Sequence, residues 1–218
     1  MNFYHTYNIF VPSEKRFSWQ KQVEDFIFDR EGDTNTFAIS VPRRYGKTHF
    51  AAHWITSHDN SRVIYFNSKA AIKTVKDIYE TKTQDQMITV GSGFVDNDES
   101  AVLCSKSSAL ERKLEYFHFD YLLVDDADVL DNATLHGALL KAVLKNTRVI
   151  ILGTSDYNGP CVENLNKSVW IWLLNHPSIS VCIVKKADEK KCFDKSKLLE
   201  PFENIAYPQN FRLKSAKT

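Results

Sequence analysis

Residues 36–55 read TFAISVPRRYGKTHFAAHWI, and the reading of the central stretch, 41–48, decides the fold. Residues 36–41 form a short run that is apolar on both faces, as a strand buried between helices is. The residues after Gly46 and Lys47 carry helical spacing. A strand, a glycine-lysine turn and a helix are the context a phosphate loop requires, because backbone N–H groups and the helix N-terminus then converge on an anion. In that arrangement Gly46 allows close backbone approach, Lys47 neutralises β- and γ-phosphate charge, and the Thr48 hydroxyl binds Mg2+. Val41 stands where the G-x-x-x-x-G-K-[ST] pattern has its first glycine, and Pro42, Arg43, Arg44 and Tyr45 fill the loop. The competing reading is a basic turn that happens to contain Gly-Lys-Thr.

A working phosphate loop needs a second element, a strand that ends in acids. Residues 121–128 read YLLVDDAD. Asp125, at the strand's end, is placed to hold Mg2+, and Asp126 to orient or deprotonate an attacking water. The bland alternative is that these acids cap the following helix, a reading that suits Asp128 best. A third element lies at RVIILGTSDYN (148–158), whose buried run ends in Gly153, Thr154 and Ser155. Strand C-terminal ends line the ligand crevice of a doubly wound sheet, so Thr154 or Ser155 is placed to sense a γ-phosphate.

Other strand-like runs fall at 62–66, 87–90, 101–104 and 179–184. Helical patterns fall at 19–30, where Ser18 is a candidate cap, and at 48–59, 70–80, 133–144 and 161–174. Strands alternating with helices predict a mainly parallel α/β sheet between helical layers. With 218 residues and only 7 glycines, the chain reads as a single domain. Its core runs over about 17–185, and 186–218 form a polar, basic edge or tail whose lysines read best as a solvated loop. With a net charge of +1, nothing in the overall composition argues for a nucleic-acid glove, so any DNA contact must come from a local patch or an oligomer. Cys104, Cys161, Cys182 and Cys192 form no CxxC or zinc spacing and read as thiols in a reducing compartment. The His49/His53 pair lacks the Glu of a metal motif and reads as helix surface. The Trp170–Leu174 stretch, WIWLL, reads as core or a subunit contact rather than a base-stacking platform. No apolar run reaches the roughly 18 residues of a membrane span, and the expectation is an intracellular soluble domain.

VPRRYGKT, with valine for the first glycine and two arginines, resembles the Walker A motif of viral terminase large subunits, closest to the herpesvirus type. The resemblance runs in order from about Phe17 to about Ser155. It implies an additional-strand, RecA-like P-loop NTPase fold, ATP and Mg2+ as cofactors, and a motor that drives double-stranded DNA into a procapsid. Implied partners are a portal protein, a small terminase subunit and further copies in a ring. The implied location is an infected host cell, nuclear if herpesvirus-like and cytoplasmic if phage-like. Gln20 matches the family's adenine-recognising glutamine. Arg43 or Arg44 matches its γ-phosphate-sensing arginine, with Arg43 favoured as a catalytic residue beside Lys47 and Asp126. Gly153, Thr154 and Ser155 match the coupling motif, and VIYFNSKAAIKTVKDIY is similar to the segment through which terminases and helicases contact DNA.

Two departures from the family pattern stand out. Asp126 replaces the usual glutamate, drawing the carboxylate back by about 1.5 Å, and a misplacement of about 1 Å can cost on the order of a hundredfold in rate. The stretch after Ser155 is too short for the family's two-metal nuclease, so the expectation is an isolated ATPase domain. Two further readings stay open: a helicase-like DNA translocase, and a degenerate nucleotide-binding subunit that regulates without turnover.

Overall fold

The computed structural model describes residues 6–58, 60–83, 88–90, 101–154 and 169–187. Their strands are β1 (Thr6–Val11), β2 (Thr36–Ser40), β3 (Val63–Phe66), β4 (Ile88–Val90), β5 (Ala101–Cys104), β6 (Tyr121–Val124), β7 (Arg148–Gly153) and β8 (Ser180–Lys186). The α-helices are α1 (Trp19–Phe28), α2 (Lys47–Ser57), α3 (Lys69–Thr83), α4 (Ser107–Tyr116), α5 (Asn132–Leu144) and α6 (Val169–Asn175). One eight-stranded sheet has the order β1-β8-β2-β7-β6-β3-β5-β4. Every pairing in it is parallel.

Parallel strands need helical crossovers, and those helices bury both faces of the sheet. Alternation along the strands divides the core accordingly. Phe37, Ile39, Tyr65, Leu123, Ile150 and Leu152 join Trp19, Phe26, Phe50, Trp54 and Val75 of α1, α2 and α3 in one cluster. Ala38, Ile64, Val124, Val149 and Ile151 join Leu110, Leu114, Leu135, Leu139 and Trp170 of α4, α5 and α6 in the other. Of the Trp170–Leu174 stretch, Trp170, Ile171 and Leu173 are buried core, and Trp172 and Leu174 pack half-buried against it.

Sheet order positions the site. Strand β7 lies between β2, which leads into the phosphate loop, and β6, which ends in the acids. Because the strands run parallel, β2, β7, β6 and β3 deliver their C-terminal ends to one edge. Ser40 pairs with Gly153, Val124 with Ile151, and Phe66 with Val124.

Some sequence expectations need correcting. Ser18 makes no side-chain capping bond to α1; it sits in a turn, its N–H bonded to Lys15 O at 2.8 Å. Helix α5 is capped by Asp131, which accepts from Thr134 N at 2.8 Å, so Asp128 is free for another task. The sheet also extends through β1, before the expected start of the core, and α4 follows β5 where no helical pattern was marked. Ser155, Cys161, Cys192 and the basic stretch after 187 lie outside the described residues.

Candidate nucleotide-binding site

The loop between β2 and α2 is held in place from both ends. Val41 extends the strand, its N–H bonded to Gly153 O at 2.9 Å, and its side chain is fully buried in the core. That is why a valine serves where the usual pattern has glycine: the residue faces the protein, not the loop's concave side. Tyr45 N reaches Pro42 O at 3.3 Å to close a turn. Arg44 has φ 64° and Gly46 φ 84°, left-handed conformations that curl successive N–H groups into an anion-receptive nest. Gly46 is required there, since a Cβ would lie 2.5 Å from Phe17 Cε1. It also caps α2, so the helix dipole points its positive end at the loop.

Helix α1 braces the loop from outside. Trp19 Nε1 donates to Tyr45 O at 2.9 Å, and Gln20 Nε2 donates to Gly46 O at 3.2 Å. Gln20 thus lies beside the loop, with its amide NH2 on loop backbone. Arg43 and Arg44 are exposed at the loop's tip.

Lys47, Thr48 and the acids converge across the sheet edge. The Lys47 ammonium reaches Thr154 Oγ1 at 2.9 Å and Asp126 Oδ1 at 3.5 Å. The Thr48 hydroxyl donates to Asp125 Oδ2 at 2.9 Å, and Tyr65 OH and Asn67 Nδ2 reach the same oxygen at 3.1 and 2.9 Å. Asp125 Oδ1 accepts from Asp126 N at 2.8 Å. Asp125 is wholly buried, whereas the Asp126 side chain is 38% exposed, which suits one to a fixed ligand and the other to a reacting solvent molecule. Burial, with the neighbouring Asp126 charge, pushes the Asp125 carboxyl up to about 6, against the pull of Lys47 and Thr48. Burial, then the Asp125 charge, raises the Tyr65 hydroxyl well above its ordinary value, so it remains a donor.

Thr154 and Asp128 add a link that the sequence left open. Thr154 N donates to Asp128 Oδ1 at 2.8 Å, and Thr154 O accepts from Trp170 Nε1 at 3.3 Å. Burial raises the Asp128 carboxyl, while the Thr154 N–H pulls it down. Asp128 therefore holds the Thr154 that bears on Lys47. Gly153 lies flat against Trp170, since a Cβ there would come within 2.5 Å of Cε2. Sequence reading missed Tyr65, Asn67 and Trp170 as members of this network; only the fold brings them to the acids.

The donor set fits a hard divalent cation. Thr48 and Asp125 present a hydroxyl and a carboxylate oxygen 2.9 Å apart, the ligand type Mg2+ takes. The nest at the α2 N-terminus with Lys47 fits a phosphate chain.

No protein-family model matches the chain, and no curated protein matches it in sequence. Solved structures do. It is similar to the UvsW helicase from bacteriophage T4, with a TM-score of 0.50 and 13% identity over 81% of this chain and 63% of that one. It is also similar to the Sulfolobus solfataricus SWI2/SNF2 ATPase core solved with dsDNA, with a TM-score of 0.54 and 14% identity over 82% of this chain and 40% of that one. The large terminase ATPase domain of Thermus phage P74-26 matches at a TM-score of 0.44 and 10% identity, over 69% of this chain and 76% of that one. The chain thus spans less than two thirds of the first two structures. The parallel sheet, the strand inserted between loop and acids, and the likeness to the first two structures define an α/β P-loop NTPase fold of the additional-strand, RecA-like kind.

Proposed function

We propose that this chain is the ATP-hydrolysing domain of a DNA-translocating motor, and more narrowly the motor of a viral terminase large subunit. The observation that carries the hydrolytic reading is the convergence of loop and acids, with Thr48 on Asp125 at 2.9 Å and Lys47 against Asp126 at 3.5 Å. Thr48 and Asp125 would hold Mg2+, which when bound offsets phosphate charge. Lys47 and the N–H groups of 43–48 bind the β- and γ-phosphates, Asp126 aligns and deprotonates water, and Arg43 senses the γ-phosphate. Gly153, Thr154 and Ser155 relay the state of the site.

Support for DNA as the track comes from fold likeness to a helicase and to an ATPase core solved with dsDNA. That likeness equally favours the second reading, a helicase-like translocase. The packaging assignment rests on VPRRYGKT, and with it go the proposed portal, small subunit, ring assembly and location in an infected cell.

Displacement of a triplex-forming strand from linear double-stranded DNA tests translocation. The expected result is displacement that requires Mg·ATP and is abolished in Lys47→Ala. Nucleotide binding without hydrolysis or displacement would favour the regulatory reading instead.

A further inference from the structure

We propose that the outer edge of β1 is a docking strip for an extended segment of a partner protein in which basic and apolar residues alternate. β1 ends the sheet, and it pairs residue for residue with Val181–Lys186 of β8 on its inner side alone. Val11 O accepts from Ala187 N at 2.9 Å. Successive residues of a strand turn their backbone groups to opposite sides, so Val11, Ile9 and Tyr7 bond towards β8. Asn8 and Phe10 then turn N–H and C=O outward, where no strand meets them among the described residues. Edge strands are commonly shielded by a lysine, a proline or a bulge. TYNIFV has none of these, and its outward donors and acceptors stay open to an added strand.

What lies on each face of that edge sets the chemistry of the partner. On the α1 face, Tyr7 stacks on Phe26 with ring centroids 5.5 Å apart, and the Arg30 guanidinium lies 5.1 Å over the Phe26 ring. These rings floor an open groove of about 470 Å³ between β1 and α1, lined also by Asp25, Asp29 and Asp33. Lys21 takes Asp25 at 2.9 Å. Asp29 and Asp33 are exposed and meet no cation within 4 Å among the described residues. Aromatic faces rimmed by free carboxylates suit a lysine or arginine head, and the groove has room for its stem. The same carboxylates repel a phosphate backbone, so the occupant is protein rather than nucleic acid. On the opposite face Phe10 is 61% exposed, and Lys185 Nζ already lies 5.6 Å from its ring centroid. A second cation is repelled there, so that face takes an apolar side chain. A strand laid along β1 sends alternate side chains to the two faces, and the required alternation follows. β8 separates β1 from β2 and its phosphate loop, so docking asks nothing of the hydrolytic reading.

The probe is a short fluorescein-labelled peptide in which lysine and valine alternate, its binding followed by fluorescence anisotropy. A peptide of the same composition, with its lysines and valines in separate blocks, controls for charge alone. The expected result is saturable binding of the alternating peptide, on the order of tenfold tighter than the block peptide. Asp29→Asn combined with Asp33→Asn should weaken it on the order of tenfold. Asn8→Pro, which removes an outward N–H and leaves the β8 ladder whole, should weaken it by a similar factor. Thermal unfolding checks that each variant is folded. If Asn8→Pro does not fold, Phe10→Ser, which strips the apolar contact from an exposed position, carries the same expectation. Equal binding of the two peptides, no binding, or an affinity unmoved in every folded variant overturns the proposal. Self-association in sedimentation velocity that Asn8→Pro abolishes, with no peptide bound, assigns the edge to a second copy and overturns it likewise. None of these readouts depends on ATP turnover.

Discussion

Asp125 is wholly buried and, among the described residues, has no ion-pair partner within 4 Å, which has a measurable consequence. Folding raises its carboxyl from 3.8 to about 6, chiefly through burial, so the folded chain holds this proton more tightly than the unfolded one. The contribution to stability is fully present below the unfolded value and is lost as pH rises through about 6. The rise corresponds to about 3 kcal/mol at neutral pH. Denaturant unfolding between about pH 4 and about pH 7 should show that decline in the metal-free protein. Asp125→Asn should flatten it in part, because Asp128 shifts the same way; an unchanged slope would contradict the assignment. Asp126, next along, has φ 53°, a left-handed backbone that aspartate accepts more readily than glutamate does. The same residue that looked one methylene short is thus the one its backbone favours, and it is met by Lys47 and Asn67. YLLVDDAD made both acids legible in sequence, but not this conformation, nor Asn67, which is far from them along the chain.

Strand β7 and helix α6 act as a unit through Gly153 and Trp170. A methyl at Gly153 would sit 2.5 Å from the Trp170 ring, and Trp170, fully buried, has no space to withdraw. Gly153→Ala should therefore destabilise by about 1–3 kcal/mol in denaturant unfolding, where a slack contact would leave the midpoint unmoved. The strands at 36–41, 121–124 and 148–152 were readable because burial on both faces leaves them continuously apolar. β1 was not, since its TYNIFV exposes Tyr7 and Phe10 at the sheet edge and lacks that signal. Helix α4 was missed for a related reason: its buried set is Leu110, Lys113 and Leu114, too few to print a helical stripe. Capping stayed open as the alternative for Asp128 because one sequence cannot show that Thr154 N lies beside it.

For the whole molecule, one edge of a parallel sheet gathers the loop after β2, Asp125 and Asp126 after β6 and Thr154 at the end of β7, with Tyr65 and Asn67 at the end of β3 bonded to Asp125. The parallel sheet between helices was implicit in the alternation of elements and in the resemblance of VPRRYGKT, but its strand order was not. Which side chains meet across it was not, because contacts such as Lys47 to Thr154 depend on strand register. The central claim is that this edge hydrolyses ATP. Steady-state phosphate release from Mg·ATP, in the presence of linear double-stranded DNA, tests it most directly on the unsubstituted chain, Lys47→Ala and Asp126→Asn. The account predicts turnover in the unsubstituted chain, with both variants lower by on the order of a hundredfold or more. Equal rates in all three, or activity kept in Asp126→Asn alone, would contradict it.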